Sequence, residues 1–487
     1  MDFAFDNSFF ATMEGFYAPA EAERPSAPRL LAFNDALAAR LGLDRAGLDD
    51  AALAALLSGG KLPEGADPLA LAYAGHQFGH FSPQLGDGRA LLIGEIVAPD
   101  GARFDLQLKG SGRTAFSRNG DGKAAIGPVL REYLVSEAMA AMGVPTTRAL
   151  AAVATGDRVQ RERAHPGAVM GRVASSHIRV GSFQFFAAHF GADHVVQLSD
   201  YSLRRHFPEI AGAANPHLAL LDQVIVRQCV LVAHWLGVGF VHGVMNTDNV
   251  AISGETIDYG PCAFMDRFAV NSVFSSIDAN GRYAYGRQPQ IMHWNMARFA
   301  EALLPAIHAV APGDVERAKA LVDAIPERFR GIWHDRMRAK LGLGTGDEGD
   351  AALIDALFGE LEDKAVDFTL FFRALAMLLR GDGAPMAALL PSADAMAPWI
   401  ADWWTRIEAE GVDPAERAAA MDAINPLYIP RNHKVEEALA AAEAGDMAPW
   451  TRLLDVVRTP FVPRDDAADY EGPGPADAAP YRTFCGT

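Results

Sequence analysis

A long apolar helical pattern, His217 to Leu236, leads into His242-Gly-Val-Met-Asn-Thr-Asp248-Asn249, and nine residues beyond Asn249 stands Asp258-Tyr-Gly260. A buried helix, then His-Gly, Asp-Asn, an apolar pair and Asp-Tyr-Gly is a strand-turn pattern of specific spacing. Asn249 and Asp258 offer the amide and carboxylate oxygens that Mg²⁺ prefers, with waters and phosphates completing an octahedron. His242 is expected to brace the loop backbone. The plainer alternative is a hairpin with capping residues.

The spacing resembles the catalytic loop and metal-binding turn of a protein kinase with one displacement. In H-R-D-x-x-x-x-N the base precedes the metal-binding Asn by five residues, and Val244 stands there in this chain. A carboxylate returns at Asp248, directly before Asn249. Either catalysis is lost or it is rearranged around Asp248.

Length and charge narrow the setting. A chain of 487 residues exceeds one ordinary core and implies two or three domains or lobes. With 43 basic and 61 acidic residues the formal charge is −18, which argues against a general nucleic-acid or anionic-membrane binder. A phosphate ligand then needs a local basic cluster. No apolar run is expected to approach the roughly 20 residues of a membrane helix, and the start, Met1-Asp-Phe-Ala-Phe-Asp6, is acidic where a signal peptide is basic. The chain is expected to be soluble and cytoplasmic. Cys229, Cys262 and Cys485 are too few for a disulfide framework or a four-cysteine zinc site.

Periodicity divides the chain into an N-terminal extension (1–65), a small lobe (66–180), a large lobe (181–380) and a C-terminal helical extension with a tail (381–487). In the extension, Pro28 to Leu41 and Leu48 to Leu57 have the pattern of short amphipathic helices. Ala90 to Val97 and Arg103 to Leu108 are strand-like around a Pro99-Asp-Gly101 turn. A helix is predicted over Pro128 to Met142, bounded by Gly143, followed by strands Arg148 to Thr155 and Ala168 to Val173 around Gly156-Asp157. Helices dominate from Ser182, broken at Gly342 to Asp350, with another over Lys434 to Ala444. The tail Asp465 to Ala479, rich in Asp, Ala, Pro and Gly, is expected to be mobile. The predicted class is α+β, a bilobal protein-kinase-like fold with N-terminal and C-terminal additions.

Lys109 ends the strand Phe104 to Leu108, where an ammonium can reach phosphates. Glu132 or Glu137 on the following helix could pair with it, and Glu132, nearer the helix start, is preferred. Gly86-Asp-Gly88-Arg89 and Asn119-Gly-Asp121-Gly122-Lys123 flank that lysine. Glycines there let backbone N–H groups approach a phosphate or nucleobase. Two such loops around one strand lysine favour a nucleotide site over two unrelated hairpins, and neither matches G-x-x-x-x-G-K-[ST]. Arg172 and Arg179 could clamp a terminal phosphate, since a guanidinium fork matches phosphate oxygens. By themselves they are a pair of surface arginines.

Taken together, Gln84-Leu-Gly-Asp-Gly-Arg89, Gln107-Leu-Lys-Gly-Ser-Gly112, Ser117-Arg-Asn-Gly-Asp-Gly122, Pro145-Thr-Thr-Arg-Ala149, His242 to Asn249 and Ile257-Asp-Tyr-Gly-Pro261 resemble the selenoprotein O family of kinase-fold protein adenylyltransferases. Asn425 to Arg431 and Cys485 extend the likeness toward the end. The resemblance implies ATP bound in reverse relative to kinases, with its α-phosphate at the attacking hydroxyl. By that likeness Gly86, Gly88, Arg89, Lys109, Asp121, Gly122, Arg172, Arg179 and Asp258 contact ATP, Asn249 and Asp258 hold Mg²⁺ or Mn²⁺, and Asp248 is the base. The implied partners are ATP and proteins bearing Ser, Thr or Tyr hydroxyls, not nucleic acid or membrane. Relatives with selenocysteine near the C-terminus suggest a redox role for Cys485, for which Cys262 is the candidate partner. The competing readings are a kinase transferring the γ-phosphate and a non-catalytic nucleotide-binding scaffold.

Overall fold

The computed structural model describes residues 1–392, 394–475 and 481–484. Its strands are Tyr17–Pro19 (β1), Arg29–Phe33 (β2), Leu69–Leu71 (β3), Gly75–Gln77 (β4), His80–Ser82 (β5), Ala90–Val97 (β6), Arg103–Lys109 (β7), Ala124–Ala125 (β8), Arg148–Gln160 (β9), Ala164–Ala174 (β10), Phe240–Val241 (β11) and Ala263–Phe264 (β12). Eight of them form one antiparallel sheet in the order β1-β3-β6-β7-β10-β9-β2, with β8 added on β10. The class is α+β.

This sheet is buried on both faces, which is why β6 reads as an almost continuous apolar run instead of an alternating one. One face carries helix Ile126–Ala141 within the main core. The other packs Leu91, Ile93, Leu106 and Val153 against Leu37, Leu41 and Leu57 of the first sixty residues. Those residues are therefore built into the sheet, and one expectation fails. Pro28 to Leu41 is not a single helix, because Arg29–Phe33 pairs antiparallel with β9 and only Asp35–Arg40 is helical, capped by the Asn34 side chain on the Leu37 amide. A run such as Leu30-Leu31-Ala32-Phe33 has no period of its own, and strand pairing decides it. The β9 strand also runs past Gly156 to a turn at Arg161–Arg163. Gly156, at φ +80°, makes room for Ala27 instead of turning the chain.

The helical half is organised around Pro216–Gly237, started by Asn215 accepting from the Leu218 amide with Pro216 in its first turn. Contrary to expectation, this 22-residue helix is long and apolar enough to cross a membrane by length and composition. It is largely enclosed, packing against helices Gln288–Val310 and Ile325–Lys340, so its apolarity serves a core. The expectation of a mobile tail also fails in part. Ala467 is fully buried, and the Glu471 carbonyl accepts from both Nε (3.0 Å) and Nη2 (2.6 Å) of Arg431.

Candidate active site

A cavity of about 920 Å³ opens where the sheet meets the loop after Pro216–Gly237, and every residue expected to contact ATP, hold the metal or act as base lines it, as does Glu132; Glu137 and Cys262 do not. Ten Lys and Arg side chains border it against seven Asp and Glu. In a chain of net charge −18 this is the local basic cluster that a polyphosphate requires.

Lys109 is set by register. It closes β7 between Ala90 of β6 and Met170 of β10, and Arg172 lies opposite Gln107. Lys109 Nζ donates to Glu132 Oε2 at 2.6 Å and to Asp258 Oδ1 at 2.7 Å. Glu137 faces elsewhere and takes both Nε and Nη2 of Arg148 at 2.8 Å. Arg172 Nη1 reaches Glu132 Oε1 at 3.1 Å and Asp258 Oδ1 at 2.8 Å, while its Nε and Nη2 rest on Gln107 Oε1. Arg179 Nη1 donates to Asp258 Oδ2 at 2.9 Å and to the Asp248 carbonyl at 2.7 Å. Its guanidinium lies 4.6 Å from the Tyr73 ring centroid.

Asp258 is thus the meeting point of three cations, and it sits there in a left-handed backbone conformation at φ +65°. Burial alone would raise its proton affinity, but Lys109, Arg172 and Arg179 outweigh burial and hold the carboxyl well below the usual carboxylate range. Asp248, ten residues earlier, is placed differently. Burial pushes its carboxyl up to about 6. Its Oδ2 accepts from Gln77 Nε2 at 3.2 Å, and its Oδ1 is buried with no partner among the described residues. Hairpin β4-β5 forms that niche: His76 N donates to Thr247 Oγ1 at 2.7 Å, and a Cβ on Gly75 would lie 2.2 Å from Asp248 Oδ1.

The loop itself is braced by His242, whose Nε2 donates to the Ile257 carbonyl at 3.0 Å while Nδ1 accepts from Val244 N at 3.3 Å. Burial lowers its proton affinity, which keeps the ring neutral as those roles demand. Val244 is buried, and its carbonyl receives Asn249 Nδ2 at 3.0 Å. That contact leaves the Asn249 amide oxygen to the cavity. One lone pair of Asp258 Oδ2 remains beside its contact with Arg179, so the oxygen donor set fits a hard divalent cation. Among the described residues no three His, Cys, Asp or Glu side chains form a metal cluster; the Asn-Asp pair would depend on phosphates and water for the rest.

Gly86 and Gly88 have a further reason to be glycine. A Cβ at Gly86 would lie 2.3 Å from the Phe116 ring and one at Gly88 2.8 Å from the Phe116 carbonyl, so the second glycine-rich loop packs directly on the first. Arg89 lies at the foot of this turn on the cavity wall. Gly122, at φ +68°, lies against the Gly112 carbonyl, and Asp121 takes Arg161 at 2.9 and 3.2 Å. Sequence reasoning missed Arg161, Gln77 and Asp87; of these only Asp87, an acid between two glycines, had a local signal. Asp87 Oδ2 accepts from Gln107 Nε2 at 2.9 Å and so ties the first loop to β7.

Cys262 is fully buried, and burial raises its thiol to about 11 despite the neighbouring Arg131. Cys485, its candidate redox partner, lies outside the described residues.

Residues 1–458 match the model of the family described as protein adenylyltransferase SelO. The chain belongs to that family. It is 78% identical, over the full length of both chains, to the protein nucleotidyltransferase YdiU of Sphingopyxis alaskensis. It is 54% identical to the protein of that name from Cereibacter sphaeroides, again over both full lengths. The Agrobacterium fabrum relative, with the same name, is 52% identical over 99% of each chain. By that membership the chain is a nucleotidyltransferase.

Proposed function

We propose that this chain transfers AMP from ATP to Ser, Thr or Tyr hydroxyls of proteins, on a bilobal kinase-like scaffold with a small lobe over 66–180 and a large lobe over 181–380. The observation that carries the reading is the pairing of a buried, apolar Val244 at the kinase base position with a carboxylate at Asp248 whose proton affinity is raised to about 6. ATP lies with its α-phosphate toward Asp248 and its outer phosphates toward Lys109, Arg172 and Arg179. Asn249 and Asp258 would hold Mg²⁺ or Mn²⁺, which when bound neutralises phosphate charge.

The acceptor oxygen attacks the α-phosphorus, a new P–O bond forms, and the bond to the β-phosphate oxygen breaks to release pyrophosphate. Asp248 takes the hydroxyl proton. At neutral pH a group titrating near 6 is mostly ionised, and its conjugate acid is strong enough to give the proton up again. Lys109, Arg172 and Arg179 are positioned beforehand by Glu132, Gln107 and Asp258, so charge stabilisation needs little rearrangement. The glycine-rich turns at Gly86 to Arg89 and Asp121 to Gly122 supply the walls of the nucleotide pocket.

Incubation with ATP labelled at the α-phosphate is expected to label protein and release unlabelled pyrophosphate, whereas γ-labelled ATP leaves protein unlabelled. Label transferred only from the γ-position would make the chain a kinase and end this reading.

A further inference from the structure

At the mouth of the same cavity the chain's own C-terminal segment lies along the loop that follows β12. Thr483 pairs in parallel with Ser275. Its amide donates to the Phe274 carbonyl at 2.8 Å, and its carbonyl accepts from Ser276 N at 2.9 Å. Its hydroxyl donates to the Pro261 carbonyl at 2.7 Å, three residues past Asp258. Two residues earlier, the Tyr481 hydroxyl sits between Arg131 Nη1 at 3.0 Å and Glu436 Oε1 at 2.6 Å. Arg482 and Phe484 alternate with these and are exposed at the rim of the cavity, Phe484 being 72% exposed. Residues 481–484 line the cavity together with Asp248 and Asp258.

This is strand addition: backbone bonds supply affinity, and seats for alternate side chains supply selectivity. The occupant is an extended segment whose inward residues carry hydroxyls, the same chemistry as the acceptor in the transfer reading above, on which this inference rests. We propose that Phe274–Ser276 is the edge on which an extended, hydroxyl-bearing segment of a protein acceptor docks, and that Tyr481–Thr483 occupies it as an intramolecular competitor. A tethered segment competes at an effective concentration of order millimolar, so weak individual bonds suffice to keep the edge covered.

Three substitutions in the full chain test this. Thr483→Pro removes the amide donor and the hydroxyl of the tail, and Ser276→Pro removes the donor of the edge. The probe is a fluorescein-labelled peptide with the sequence of residues 478–487, carrying Cys485→Ser, read by anisotropy without ATP. Thr483→Pro is expected to bind it at least tenfold more tightly than the parent, and adding Ser276→Pro is expected to abolish the gain. Thr483→Val, which deletes only the hydroxyl, falls between. With α-labelled ATP, labelling of dephosphorylated casein is expected to rise threefold or more in Thr483→Pro at constant KM for ATP. No gain in peptide binding at an unchanged melting temperature, a gain that survives Ser276→Pro, or unchanged casein labelling overturns the proposal. Absence of transfer in every protein, parent included, instead overturns the function proposed above, because the anisotropy arm needs no chemistry.

Discussion

Asp248 and Asp258 line one cavity, yet their surroundings drive them apart. Asp258 is ringed by Lys109, Arg172 and Arg179 and stays charged far below neutral pH. Asp248 has one amide donor, an oxygen with no partner among the described residues, and a carboxyl pushed up to about 6 by burial. The same side chain is thus held as a fixed anion in one place and left to titrate near neutrality in the other, as the proposed proton acceptor requires, and environment alone makes the difference. The difference is steep because Arg179 spends its Nη1 on Asp258 and on the backbone carbonyl of Asp248, not on the Asp248 carboxylate.

The largest expected effect comes from breaking the fixed anion. Asp258→Ala is expected to lower AMP transfer by at least about 10³-fold, since the proposed metal ligand and the anchor of three cations go together. The cations left behind, two of them almost wholly buried, are expected to cost roughly 3–5 kcal/mol of stability, read by denaturant unfolding without nucleotide. ATP should restore part of that loss, because its phosphates replace the missing anion. Unchanged stability would show that the three cations are adequately paired by Glu132 and Asp87 alone.

Asp248→Asn tests the other member and should move stability in the opposite direction. Turnover is expected to fall by about 10²–10⁴-fold with KM for ATP within a few-fold, as for a base that acts only in the transition state. A raised carboxyl binds its proton more tightly folded than unfolded, so its ionisation penalty grows from pH 3.8 to about 6 and persists above. Removing it is expected to stabilise the chain at pH 7 by up to about 3 kcal/mol, and to leave stability at pH 4 nearly unchanged. A destabilised Asp248→Asn at pH 7 would mean the carboxylate is paired there.

How much of this contrast was open to inspection in the sequence depends on distance along the chain. Asn249, Asp258 and Lys109 could be named because each belongs to a local pattern, a loop spacing or a strand end, whereas Arg172 and Arg179 had no such signal and entered through the family resemblance. Glu132 and Glu137 could be ranked but not separated, since only the sheet shows which helix face meets Lys109 and which meets Arg148. Gln77 could not be found at all: it meets Asp248 across 171 residues, on a hairpin with no motif of its own. The same holds for the fold. Regular patterns over 90–97, 103–109 and 216–237 declared themselves, whereas Arg29–Phe33 became a strand only because β9 offers it a partner.

Gln77 sharpens the comparison at smaller scale. Its amide favours the ionised form of Asp248, though less than burial opposes it. In the parent, kcat/KM is expected to rise with pH through about 6 and then level off. Gln77→Ala should move that limb to higher pH and reduce turnover several-fold near pH 6.5, with a smaller effect at pH 8. Gln77→Glu, placing a like charge beside Asp248, should move it further. A limb that stays in place in both variants would detach Gln77 from the titration.

The smallest effect is expected at Asp121, a carboxylate of the same cavity that belongs to neither extreme. The Arg161 side chain, ahead of an opposing burial effect, holds its carboxyl below the ordinary value, and the pair is partly open to solvent. A lowered group contributes stability above its unfolded value and loses it only in stronger acid, so Asp121 has nothing to titrate between about pH 5 and 8. Asp121→Asn is therefore expected to change stability by no more than about 1 kcal/mol and to shift KM for ATP a few-fold as Arg161 is released. Its pH–rate profile should superimpose on the parent's after scaling. Movement of the limb near 6 in this variant would mean that the group titrating there is not Asp248 acting alone, and the division of labour between the two principal carboxylates would have to be redrawn around a third.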